Sequence, residues 1–433
     1  MEALQERDFG SKEYKRSRKA YAMECTFEYF VSLLVTEAFL AKVLTSIGMS
    51  DALIGVVSTL IALSYLFQFF SVFVVQKICN TKRFVIIFHS LGQLFFMALY
   101  FVPFLPFVTE YKTVIAVACI LLAYFGNYFV TNIIYNWGNS YVSPSWRGLF
   151  GAKKETLSLV SGVVVTLAVG YVMDYFEAMD NLEGGFVFSA IAILIFCISD
   201  FICLLLIKND IKPRQEAKAA EPTRVVMKKL FGNKGFLNLL VLTVLWNCAQ
   251  YTTVGFLGTY RIKELGYTVG AVAAINVLGH LSRAALSRPF GIYSDKHSFA
   301  KGIRLALVVS AVGFAVNVFT TPSTRFLIIV YTVLHCVGQA GIGANMLNIT
   351  YSYVPREYYV QATAIRNSIG GICGFTASIL ASRLLQGIQD NGNMIFGMPF
   401  YGQQVLSMIS LSLVVITILF THFVIGRQKV MLQ

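Results

Sequence analysis

Residues 52–76 read ALIGVVSTLIALSYLFQFFSVFVVQ, twenty-five consecutive positions without a charge. The hydrocarbon core of a bilayer is crossed by roughly 20 apolar residues in a helix, and this run meets that length. So do Phe84–Thr109, Gly235–Tyr260, Leu305–Thr324 and Phe326–Pro355. Only 13% of the 433 residues are charged and 56% are hydrophobic, where soluble proteins average about 25% charged. A membrane β-barrel would show short alternating strands rather than long apolar runs. The sequence therefore predicts an all-α integral membrane protein.

Twelve transmembrane helices are expected, at 21–44, 52–76, 84–107, 113–140, 155–175, 186–207, 235–260, 267–289, 302–320, 324–353, 360–385 and 400–425. Charge tests that count, because cytoplasmic loops collect Lys and Arg. With both termini cytoplasmic, 29 of the 35 basic residues fall on their side and 6 on the other. One missing span would scramble this alternation. The expected organisation is a cytoplasmic segment at 1–20, a six-helix bundle at 21–207, a cytoplasmic linker at 208–234, a second six-helix bundle at 235–425 and a tail at 426–433. No cleavable signal peptide precedes the first apolar run. The net charge of +13 is read as loops facing anionic lipid rather than as a nucleic-acid surface. The eight cysteines lie mostly in apolar segments without CxxC spacing, so they are read as small buried hydrophobes.

The two halves echo one another, as parallel repeats do in transporters. SYVSP at Ser140–Pro144 has its counterpart in SYVP at Ser352–Pro355, and QKICNTKR at Gln76–Arg83 in DKHSFAKG at Asp295–Gly302. In the second half, Gly291, Asp295, Lys296 and Lys301 match a GxxxD[RK] pattern followed by further basic residues. On these residues the chain resembles the major facilitator superfamily along nearly its whole length, and WGNSYVSPSWRG (Trp137–Gly148) resembles a bacterial branch of it. The resemblance implies the major facilitator fold, two pseudo-symmetric six-helix bundles. It also implies that the loop around Asp295 is a cytoplasmic latch. The first half departs from the pattern, with Val72 at the glycine position and Gln76 at the acid. Helix 4 has no arginine of the proton-coupled kind and helix 5 no Gly-Pro signature of drug antiporters.

Ionisable residues within spans are functional candidates, because a charge at a helix centre costs about 2.5–3.5 kcal/mol on insertion scales. Glu24 and Glu28, one turn apart, share a face of helix 1. Two carboxylates in a low dielectric resist joint ionisation, which suits a proton-coupling pair. The alternative for Glu24 is an interfacial pair with Arg18, Lys19 or Lys153. Tyr128, Asn132 and Asn136 form a polar stripe on helix 4, Asn247, Gln250 and Tyr251 mark helix 7, and Asn345 and Asn348 mark helix 10. Buried amides need partners, so these are the expected solute contacts. Arg147, Lys153, Arg288, Asp295, Lys296 and Arg366, near the cytoplasmic ends, are the expected gate.

These features predict a secondary transporter of the plasma membrane, with both termini cytoplasmic. It would move a small solute by alternating access, coupled to protons or sodium. Neutral donors and acceptors beside aromatics favour a polar solute such as a sugar or nucleoside. Efflux of amphiphilic compounds, or a non-transporting scaffold or sensor, are the alternatives. No GxxxxGK[ST] phosphate loop occurs, the histidines show no metal-ligand spacing, and no nucleophile motif is present. An enzyme, a resident metal and a cofactor are therefore not expected. The expected partners are the solute and the lipid, without nucleic acid, and the protein is read as a monomer.

Overall fold

The computed structural model describes residues 9–75, 81–143, 147–208, 223–355, 358–395 and 398–427. Ten of its helices are long and apolar enough to cross a membrane. The two remaining expected crossings are each broken into two helices in series. The first is α1 (Lys12–Leu34) with α2 (Glu37–Ser46), the second α3 (Asp51–Ser58) with α4 (Leu60–Val75). Threonine marks both breaks. Thr36 donates its hydroxyl to the Ser32 carbonyl at 3.1 Å, and Glu37 beyond it takes φ +46°. Thr59 donates to the Val56 carbonyl at 2.7 Å. A hydroxyl that bonds back to its own helix competes with the backbone ladder.

The other helices follow as α5 (Thr81–Leu99), α6 (Thr109–Asn139), α7 (Arg147–Ala178), α8 (Leu182–Leu206), α9 (Thr223–Phe231), α10 (Lys234–Thr253), α11 (Leu257–Thr259), α12 (Val269–His297), α13 (Phe299–Val318), α14 (Leu327–Tyr353), α15 (Tyr359–Asp390) and α16 (Gly402–Phe423). Side-chain caps start several of them, satisfying N–H groups the helix leaves over. Asn181 accepts from the Gly184 N–H at 3.0 Å, and Asn233 from Gly235 at 2.8 Å and Phe236 at 3.2 Å. The strands among the described residues are β1 (Met394–Ile395) and β2 (Met398–Pro399), paired antiparallel.

The stretch Gly291–Gly302, expected to be a turn between helices, is mostly helix. α12 runs through Pro289 to His297, and α13 begins at Phe299. Ser298 alone breaks the run, its hydroxyl accepting from the Lys301 N–H at 3.2 Å. Proline inside a membrane helix is tolerated where neighbouring groups re-satisfy the freed carbonyl.

The chain divides into two compact units, Met1–Gly48 with Phe67–Ala217, and Met49–Leu66 with Lys218–Gln433. In the first unit an aromatic core gathers Tyr21, Phe129, Trp137 and Tyr141 with Val85, Ile134 and Leu204. There α5 and α6 touch through Gly92 and Gly126. A Cβ on Gly126 would stand 2.7 Å from the Gly92 Cα.

In the second unit the segment 49–66 packs with equal closeness. A Cβ on Gly55 would meet the Phe256 ring at 1.9 Å, and one on Gly371 the Ala62 carbonyl at 2.0 Å. The Thr59 and Ser378 hydroxyls lie 2.6 Å apart. Those contacts explain why this segment, read from sequence as part of 21–207, groups with the second unit.

Candidate functional site

Four helices of the first unit bring polar side chains to one buried point. α1 supplies Glu24, α5 His89 and Gln93, α6 Asn127 and α8 Asp200. His89 and Gln93 are one turn apart and so share a face of α5. The His89 Nε2 and the Asp200 Oδ2 lie 3.0 Å apart, an ion pair when the imidazole is protonated. Gln93 Nε2 stands 3.5 Å from the His89 Nε2 and donates to the Asn127 Oδ1 at 3.1 Å. Asn127 in turn donates to the Ala123 carbonyl at 2.9 Å. Glu24, His89 and Asp200 each offer a ligating atom within 4.8 Å of the others.

Burial here is complete, with Glu24 and His89 0% exposed and Asp200 1%. Most buried polar atoms find a partner. Yet among the described residues Glu24 Oε1, His89 Nδ1, Gln93 Oε1 and Asp200 Oδ1 have no hydrogen bond. Among the described residues, Glu24 Oε2 accepts from the Cys25 thiol at 3.2 Å. Half-buried Glu28 interacts electrostatically with His89, Asp200 and Lys154. Lys154 donates to Cys25 Sγ at 3.1 Å and Tyr21 Oη at 3.2 Å, and lies over the Tyr21 ring. The cluster thus holds three carboxylates, an imidazole and one nearby ammonium in an apolar surround.

Glu24 and Glu28, expected from sequence, therefore stand beside groups that the sequence reading did not connect. Glu24 sits buried within the helix cluster. Arg18 donates to the Phe9 and Tyr141 carbonyls at 2.8 and 3.1 Å, and Lys153 is exposed. Asp200 and His89 each stand alone in an apolar run, far from Glu24 in the sequence. The signal available for both was the one used for Glu24, an ionisable residue inside an apolar run. Asn127 lies next to the expected Tyr128, which is half-buried and meets Tyr124 edge-on at 5.9 Å. The side chains of Asn132, Asn136 and Arg147 lie outside the described residues, as do those of Val72 and Gln76.

In the second unit the expected polar residues are in part brought together. Asn247 and Tyr251 of α10 face Gly370 and Gly374 of α15, where a Cβ would come within 2.9 Å of the Asn247 amide nitrogen and 2.4 Å of the Tyr251 ring. Asn247 donates to the Thr243 carbonyl at 2.8 Å, which leaves its oxygen as the acceptor to offer a neighbour. Gln250 and Asn348 are half-buried. Asn345 is 1% exposed, and its Oδ1 has no partner among the described residues. Arg366 ties α15 to α14, donating to the Met346 carbonyl at 2.9 Å and the Thr350 hydroxyl at 2.8 Å. Arg288, Asp295 and Lys296 are exposed along the last turns of α12.

Comparison with known proteins agrees with this architecture. Among solved structures, a mutant of the nucleoside transporter NupG superposes with a TM-score of 0.73 at 13% identity, covering 94% of this chain and 99% of that one. A bacterial homologue of the human lysosomal transporter Spinster gives 0.69 at 13%, over 95% and 96%. The peptide transporter POT in complex with alafosfalin gives 0.66 at 14%, over 93% and 94%. At such identities the likeness is one of fold. No curated protein sequence matches the chain. The family profile described as Major Facilitator Superfamily matches residues 20–378, well over half of the 433 residues, and the chain belongs to that superfamily of membrane transporters.

Proposed function

We propose that this protein is a secondary active transporter that moves a small polar solute, such as a nucleoside or sugar, with protons. It works by alternating access in the plasma membrane, with both termini in the cytoplasm. The observation that carries the coupling is the buried group of Glu24, Glu28, His89 and Asp200. A charge enclosed in apolar helices is costly, and carboxylates side by side with an imidazole can share protons without moving heavy atoms. Proton uptake and release there change the charge balance of three packed helices at once, which is what an ion-coupled conformational cycle requires. The half-buried Asn247, Gln250 and Tyr251 and the unpartnered Asn345 oxygen supply neutral donors, acceptors and an aromatic face for the solute. A nucleoside transporter of the same fold is a precedent for such cargo. Arg147, Lys153, Arg288, Asp295, Lys296 and Arg366 remain the proposed cytoplasmic gate.

Two measurements test this. A ligand present at 100 times its dissociation constant stabilises a folded protein by about 2.7 kcal/mol. A nucleoside or sugar is therefore expected to raise the melting temperature of the detergent-solubilised protein. A shift produced only by amphiphilic cations would replace the polar-solute reading with efflux. In proteoliposomes, Glu28→Gln is expected to leave solute exchange in place and to abolish the acceleration of uptake by an inward proton gradient. The groups facing Glu28 are Glu24, His89, Asp200 and Lys154, and none of these is altered by the change. Unaltered pH dependence would remove Glu28 from coupling.

A further inference from the structure

We propose that Glu24, His89 and Asp200 form a binding site for one divalent transition-metal ion. The three residues come from α1, α5 and α8, so the site exists only in the folded first unit. Their ligating atoms lie within 4.8 Å of one another. A metal with bonds near 2.1 Å holds its ligands roughly 3.0–4.2 Å apart, from cis to trans, and His89 and Asp200 already lie at the short end of that range. A rotation of the Glu24 side chain supplies the closing movement, because its Oε1 has no hydrogen bond among the described residues to hold it.

The donor set decides the class of ion. Two carboxylates and a neutral imidazole carry two negative charges, which a dication neutralises in a site that excludes water. Calcium takes six to eight oxygen ligands and magnesium keeps several waters, which three side chains with a nitrogen among them serve poorly. Imidazole with carboxylates suits manganese, iron, cobalt or zinc. The atoms without hydrogen bonds are an independent sign. Glu24 Oε1, His89 Nδ1 and Asp200 Oδ1 are all buried and unpartnered among the described residues. Such atoms are rare in folded proteins unless something else satisfies them. The nearby ammonium of Lys154 is engaged with Tyr21 and Cys25.

The inference stands on the geometry of the cluster and requires no particular solute. Its test is binding, measured on the full chain in detergent after treatment with a chelator. Titration calorimetry with Zn²⁺ and Mn²⁺ is expected to show one ion per chain. Glu24→Gln is expected to weaken that binding at least ~10-fold, the loss seen even for outer-shell partners, with the metal-free melting temperature unchanged. Pulsed electron paramagnetic resonance of the Mn²⁺ form is expected to show coupling to a nitrogen nucleus, which reports His89 without a variant. Absence of saturable binding, binding indifferent to Glu24→Gln, or ligation by oxygen alone would each overturn the proposal. The transport reading is judged separately, by proton-driven solute flux in the presence of chelator.

Discussion

Replacing His89 with leucine is expected to destabilise the purified protein by about 3–5 kcal/mol, and replacing Asp200 with leucine in the same chain to recover most of that loss. The two side chains are 0% and 1% exposed and the His89 Nε2 and Asp200 Oδ2 lie 3.0 Å apart. Removing one partner strands the other without water. Removing both exchanges an ion pair for apolar packing of similar volume, which is neutral or stabilising in comparable cores. The two single changes are not equivalent. At neutral pH a free imidazole is mostly uncharged and a free carboxylate charged, and a stranded charge is the costlier of the two. His89→Leu should therefore cost more than Asp200→Leu. Thermal or denaturant unfolding in detergent measures all three variants. If the double variant is as unstable as His89→Leu, the pair is not what holds these helices. If it is stable and still accumulates solute against a gradient, the pair is not part of coupling. The expected result is a folded protein that no longer couples.

Much of the fold could be read from the residues. The charge-free runs mark where the long apolar helices lie, because a polar group moved into lipid is costly. The breaks were less legible. Thr36 and Thr59 interrupt α1–α2 and α3–α4, yet threonine is also at home inside membrane helices. The run at Gly291–Gly302 misled for the opposite reason. Its charges suggest a turn, but exposed charges fit the end of a helix equally well, and only Ser298 caps a new one. The site was half legible. Glu24 and Glu28 stand out as acids one turn apart. His89 and Asp200 are single ionisable residues in separate helices, and no spacing rule joins positions that far apart in sequence. Their meeting is a consequence of how α1, α5 and α8 pack, and beside it α5 crosses α6 at small residues whose role is invisible until the helices are placed.

Gly126 is such a residue, and Gly126→Ala is expected to cost about 1–3 kcal/mol, the usual range for overpacking a tight contact. The added methyl would fall 2.7 Å from both the Gly92 Cα and the Phe88 carbonyl, and 2.9 Å from the Gly92 nitrogen. All three are backbone atoms, so no side-chain rotation can make room and α5 must move away from α6. Small residues at such crossings let membrane helices approach closely enough for dispersion and polar contacts to hold them. A matched control separates this from helix propensity. At Gly387 of α15 a Cβ meets nothing within 4 Å, so Gly387→Ala should be neutral or stabilise by up to about 1 kcal/mol. Equal effects at the two positions would dispose of the packing argument. The functional consequence follows from where the crossing lies. Asn127 is the next residue along α6 and receives the Gln93 amide, which stands beside His89. Spreading α5 from α6 pulls that chain apart one residue from the wedge. Coupled uptake by Gly126→Ala should therefore fall further than its melting temperature alone would explain, even at temperatures where the protein stays folded.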